Sequence, residues 1–156
     1  MTGASRVLVA LRVPAGQQRA FDAFTGEIGT WWKPNALFRF RAGPSGTLAF
    51  EPGPAGRLVE HYPDGSTFTV GQVLTWDPPR GLSLTWRTAS FAADQSTELR
   101  IRFEDHGAET RVVVEHLGWD AIPADHVARH GFPLPAFQQR WAEWWQDLLA
   151  RLATVA

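Results

Sequence analysis

The stretch from Pro135 to Val155, PAFQQRWAEWWQDLLARLATV, decides how the rest of the chain is read. Phe137, Trp141, Trp144, Trp145, Leu148, Leu149 and Leu152 recur with a period near 3.6, while Gln138, Gln139, Arg140, Glu143, Gln146, Asp147 and Arg151 take the other positions. That spacing predicts one long helix of about five turns with an aromatic stripe to bury. Upstream of it the period changes to two. Leu99, Ile101 and Phe103 alternate with Glu98, Arg100, Arg102 and Glu104, and after the turn Asp105-His106-Gly107 the pattern resumes over Thr110 to Gly118. There Val112, Val114 and His116 share one face, and Arg111, Val113 and Glu115 the other. The two runs predict an antiparallel pair with one dry face, on which the stripe of the helix can rest.

The remaining elements follow by working outward. Arg6 to Val13 reads as a strand stopped by Pro14, and Gln17 to Thr25 as a helix carrying Ala20, Phe21, Ala23 and Phe24. Gly26 breaks it before a second short helix, Glu27 to Trp32, that ends at Pro34. Phe38 to Gly46 is aperiodic and reads as a loop, followed by strands at Thr47 to Phe50, Arg57 to Tyr62, Thr67 to Trp76 and Leu82 to Trp86, divided by Pro- and Gly-rich turns. Within Thr67 to Trp76, Phe68, Val70, Gln72, Leu74 and Trp76 share one parity and Val73 has the other, so a β-bulge is expected near Gly71. The order is one strand, two short helices, six strands and a long helix. An α+β fold with a seven-stranded antiparallel sheet and helices on one face satisfies it, as a single domain over residues 1–156.

Composition narrows the function classes. The 156 residues include 15 Lys+Arg and 16 Asp+Glu, a net charge of -1, so no global basic field exists to hold nucleic acid or an anionic membrane. Neither partner is expected. With 0 Cys, disulfides, thiolate metal sites and thiol nucleophiles are excluded, and any metal would need His and carboxylates. The apolar run Val7 to Leu11 before Arg12 is too short for a signal core or a membrane span, and a cytoplasmic location is expected. The distinctive feature is 8 Trp and 10 Phe beside 1 Tyr, since rings of that size either fill a core or wall a pocket.

Several of these residues form a recognisable set. Phe21-Asp22-Ala23-Phe24-Thr25, Trp31-Trp32-Lys33-Pro34, Gly56-Arg57, Gly71-Gln72-Val73-Leu74, Trp76-Asp77-Pro78-Pro79-Arg80, Trp86 and the closing Trp145, Leu149 and Leu152 resemble the Hsp90-ATPase-activator-homologue-like family of the START/Bet v 1-like (SRPBCC) superfamily. The resemblance runs over roughly residues 6 to 153. It implies a helix-grip fold, in which the sheet curls around the C-terminal helix and leaves a cavity for an apolar small molecule. Two departures bear on that cavity: the final helix has Trp141, Trp144 and Trp145 where one Trp is usual, and Asp120 to Pro135 forms an added, His-containing connection.

Candidate site residues follow, each with a plain alternative. His116 shares the apolar face of its strand, as a ligand's polar fixer or as a core histidine bonded within the protein. Glu60 shares a parity with Leu58 and Tyr62, as an inward base or anchor or as a solvated carboxylate on an edge strand. Gln72 is either an amide in the cavity or an outward polar residue. Trp32, Phe68, Trp76, Trp86, Ile101, Val114, Phe137, Trp141, Trp144 and Trp145 are the expected apolar lining, with one of Trp31 and Trp32 at the mouth. Arg39 and Arg41 flank Phe40 as a basic lip for a carboxylated ligand or as ordinary surface charge. His126 and His130, four apart beside Asp125, have a zinc-like helical spacing but no evident third ligand. No metal and no cofactor are expected. GxGxxG, Walker and GxSxG motifs are absent from the chain. The leading expectation is a binding protein for a small hydrophobic, aromatic molecule, ahead of a cyclase, aromatase or hydrolase using the same cavity. Third is a module that binds a protein partner through its surface, with a homodimer also open.

Overall fold

The computed structural model describes residues 6–156; residues 1–5 of the expected domain lie outside the described residues. Its elements are β1 (Arg6–Val13), α1 (Gln17–Gly26), α2 (Ile28–Trp31), β2 (Thr47–Phe50), β3 (Arg57–His61), β4 (Thr67–Asp77), β5 (Gly81–Trp86), β6 (Thr97–His106), β7 (Glu109–Leu117) and α3 (Leu134–Val155). The strands form one antiparallel sheet in the order β1-β7-β6-β5-β4-β3-β2. Because β1 and β2 are opposite edges, the connection between them must cross the sheet, and α1 and α2 make that crossing. The helix α3 returns against β1, α1 and α2. This is the helix-grip arrangement.

The alternating strands sort as expected. Leu99, Ile101 and Phe103 of β6 and Val112, Val114 and His116 of β7 are buried on the inner face. Outside, Arg6 and Arg102 reach Glu115, and Arg102 and Arg111 both reach Glu104. Beside these long side chains Val113 is also buried, although it has the outward parity. All seven apolar positions of the α3 stripe, Phe137, Trp141, Trp144, Trp145, Leu148, Leu149 and Leu152, are buried.

The expected bulge is present. Leu58 pairs with Gly71 and Val59 with Thr69, so Val70 is the extra residue of β4. A Cβ on Gly71 would lie 1.7 Å from the carbonyl oxygen of Thr85, which makes glycine obligatory where the strands approach. A second register shift, between Val73 and Thr75, follows against β5. Each shift reverses the parity of what comes after it. Val70 and Val73 therefore both face inward, while Gln72 and Leu74 are exposed.

Candidate functional site

A cavity of about 480 Å³ opens at the end of the sheet where β5 finishes. Three stretches wall it: residues 36–42 from the loop after α2, Trp86 with Thr88, Ala89 and Ser90, and Trp119 with Val127, Ala128 and His130 from the connection after β7. Trp141 of α3 completes the lining. Ring faces dominate. Phe40 meets Trp86 edge-on at 5.2 Å, Phe38 meets Trp141 at 4.9 Å, and Trp119 meets Trp141 at 5.3 Å. Such pairs prefer tilted and edge-to-face arrangements, so rings from separate segments brace one another.

Polar contacts join the walls to each other. The Ala89 amide donates to the Phe40 carbonyl at 2.6 Å, and His130 Nε2 donates to the Leu37 carbonyl. His126 Nδ1 accepts from the Ala128 amide at 3.0 Å, which assigns the ring proton to Nε2, 3.1 Å from the Ser90 carbonyl. The two histidines are thus clasps at the two ends of a single 3-10 turn, Val127–Arg129, and do not share a helical face. Their zinc-like spacing is corrected accordingly; His130 has a left-handed backbone, φ 53°, that ends the turn. Among the described residues no group of three or more His, Asp or Glu gathers that could hold a metal ion. Arg129 holds the connection from inside, donating to the carbonyls of Ile122 and Phe132 at 2.7 Å with its guanidinium 5.3 Å from the Phe137 ring. Its burial lowers its pKa.

The residues singled out in the sequence do not come together in one place. Trp86 and Trp141 line the cavity. Ile101, Val114, Phe137, Trp144 and Trp145 are in the packed core behind it, and Trp32 is buried there too, against Trp144 at 5.1 Å and Trp145 at 5.6 Å. Trp31 is equally buried, donating to the Ala23 carbonyl at 3.0 Å, so neither residue of that pair guards the 480 Å³ cavity. Trp76 stands at the turn end of the β4–β5 hairpin, whereas Trp86 stands at its open end. It lines a separate surface cavity of about 340 Å³ with Phe21 and Phe50. Gln72 is corrected to the outer surface, where its amide donates to the carbonyls of Ala55 and Gly56 at 3.1 and 3.0 Å. The bulge before it is the reason.

Glu60 is inward, but it is occupied. Its strand is interior to the sheet, not an edge, and the carboxylate accepts from the Tyr62 hydroxyl and from the Gly46 amide at 3.0 Å. The Tyr62 pKa is raised by burial and by that carboxylate. Phe68, half-buried, is paired with Glu60 across the strands. Glu60 therefore anchors the end of the loop whose earlier residues wall the cavity.

His116 is fully buried behind the cavity. Its Nε2 lies 2.6 Å from Thr97 Oγ1, and since that hydroxyl donates to the Trp86 carbonyl at 3.1 Å, Nε2 is the protonated nitrogen. Nδ1 has no protein partner. The rings of Trp141, Trp119 and Trp86 surround it at 4.6, 5.2 and 5.7 Å. Burial drives its pKa down to about 3, so the imidazole is neutral at ordinary pH. It is sealed from the cavity by the same indoles.

Sequence reading missed Phe38, Phe40, Thr88, Ala89, Ser90 and Trp119 as lining. The signal available was the Phe-Arg-Phe alternation at 38–40 and a Trp directly after the glycine that ends β7. Neither carries a helical or strand period that would orient a side chain.

Fold and cavity together define a helix-grip protein with a ligand-sized, ring-walled opening at one end of its sheet. The profile of the Activator of Hsp90 ATPase homolog 1-like protein family matches residues 15–154, and the chain belongs to that family. Among solved structures it is similar to an anthrahydroquino-gamma-pyrone synthase, Txn09, complexed with SUM, at 29% identity over 97% of both chains with a TM-score of 0.57. It is also similar to protein NE0264 from Nitrosomonas europaea, at 13% identity over 99% of this chain and 95% of that one, TM-score 0.64. An HSP90 activator from Plasmodium falciparum matches at 16% identity, 97% and 95% coverage and TM-score 0.63. The last two show the fold. Comparison with curated protein sequences finds no significant match.

Proposed function

We propose that the protein binds a flat, hydrophobic aromatic small molecule in the cavity at the open end of the β4–β5 hairpin. The observation that carries this reading is the wall itself: about 480 Å³ lined by Phe38, Phe40, Trp86, Trp119 and Trp141, rings from four separate parts of the chain. Sites for small ligands are of this size and are mostly apolar with a few polar groups. Burial of ligand surface at roughly 25 cal/mol per Å² supplies the driving force. Titration with a three-ring aromatic such as anthracene-2-methanol should quench the fluorescence of the lining indoles with saturation. Ala128→Trp, which fills the cavity from its wall, should abolish the quench; a quench unchanged in that variant would place the ligand elsewhere.

A second reading, an enzyme that closes rings on such a molecule, is favoured by the end-to-end likeness to the pyrone synthase. In that reading His116 is too deeply enclosed to move a substrate proton, and His130 is the histidine on the cavity wall. The two readings separate on turnover of a bound ring-containing probe by the unaltered protein, which is expected only in the second. A partner-binding surface finds less support. It calls for a broad exposed apolar patch, and the large exposed hydrophobics among the described residues, Leu8, Leu74 and Val127, belong to three different parts of the chain.

A further inference from the structure

The charges on the cavity wall are all of one sign. Arg39 and Arg41 line it, and no Asp or Glu does. Their commitments differ. Arg41 is half-buried, with its guanidinium 3.4 Å over the Tyr62 ring and one nitrogen donating to Ser66 Oγ at 2.8 Å. Hydrogen bonds from Ser66 lower the pKa of Asp64, with Arg41 adding to that in the same direction, and the Glu60 carboxylate accepts from Tyr62. Arg39 is exposed and, among the described residues, makes one side-chain hydrogen bond, to the Gly43 carbonyl at 3.2 Å. A guanidinium carries five N–H donors in a planar fork, so most of this group's capacity is unused. Among the other polar side chains of the wall, Thr88 and Ser90 hydrogen-bond each other at 2.7 Å, and His130 donates to Leu37.

We infer that the cavity selects an aromatic ligand bearing an anionic oxygen group, with the rings against Phe38, Phe40, Trp86 and Trp141 and the anion held at the mouth by the Arg39 guanidinium. This inference rests on the ring-binding reading above and adds the charge of the ligand to it. The fork of Arg39 matches a carboxylate in geometry as an ammonium would not. Segment 36–42 supplies both parts of the recognition, since Phe38, Arg39 and Phe40 all line the cavity, the two rings buried and the arginine exposed.

The test compares anthracene-2-carboxylate with anthracene-2-methanol, probes of the same ring system that differ in charge, by quenching of protein fluorescence. The carboxylate should bind about tenfold more tightly at low salt, the scale of one charge-assisted hydrogen bond at a partly exposed site. Raised salt should shrink that preference. Arg39→Gln should bring the two affinities together without weakening the alcohol, while Arg100→Gln on the outer face of β6 should leave the preference intact. Equal affinities in the wild type, or a preference that survives Arg39→Gln, would overturn the assignment. Failure of both probes to bind would remove it together with the ring-binding reading, whereas tight binding of the alcohol alone removes only the anionic group.

Discussion

The same kinds of ring build two unlike regions of this molecule. Beneath the sheet, Trp145 meets Phe24, Trp31, Trp32 and Trp86, the first in a stacked pair at 6.5 Å and 10°, and every one of these residues is buried. At the open end, Phe38, Phe40, Trp119 and Trp141 are just as buried, yet they surround a space of about 480 Å³. The difference is in what carries the rings. Under the sheet all of them but Trp32 project from helices and strands whose fixed periods let them interdigitate to crystal-like density. At the open end Trp141 projects from α3, while segments 36–42, 88–90 and 119–130 lack that regularity and are held at set distances by hydrogen bonds such as Ala89 to Phe40 and His130 to Leu37. Aromatic richness by itself makes neither a core nor a pocket.

That contrast is open to direct attack. Trp145→Ala removes a ring from the closed region, and a loss of about 3–5 kcal/mol is expected in denaturant unfolding, because its neighbours cannot collapse into the gap. Next in size is the acid response of His116. Its folded pKa is depressed to about 3 while the unfolded chain takes a proton near 6.5, so the unfolded state binds the proton first. The stability His116 allows is complete above pH 6.5 and falls as pH drops towards 3, by about 1.4 kcal/mol per pH unit. His116→Gln should flatten the stability profile through that window; equal slopes in the two proteins would mean the imidazole is accessible to water, contrary to its enclosure. The smallest effect is expected on the outer face of the sheet, where Arg102→Ala should change stability by no more than about 1 kcal/mol, since exposed ion pairs are weak and screened.

Most of the architecture was legible in the chain because its period is unambiguous. Pro135 to Val155 keeps seven apolar residues on one helical stripe, and Thr97 to Glu104 and Thr110 to Gly118 alternate on either side of one turn, so the buried faces could be read from both. Even the irregularity in β4 was visible as the clash of parity between Val70 and Val73. What the clash could not say was how many residues the shift would consume. Gln72 went to solvent and Glu60 to the interior for that kind of reason: a strand's parity is visible locally, but which face is wet depends on partners far along the chain. The site was the least legible part. Phe38, Phe40, Thr88 and Trp119 have no local period, and they become neighbours only when the chain crosses from β1 to β2 and returns from β7 to α3.

By itself, then, the sequence determined the order of elements, the buried faces of β6, β7 and α3, the family, and an interior dominated by indole and phenyl rings. Those properties depend on hydrophobic period and side-chain size, which are local quantities. Only the tertiary structure decided that the rings leave a cavity where β5 ends, that His116 is sealed in behind three indoles, and that Arg39 lines that cavity as an exposed side chain. These depend on how loops of irregular backbone are propped against one another by single hydrogen bonds, and such contacts join residues with no shared pattern in the chain.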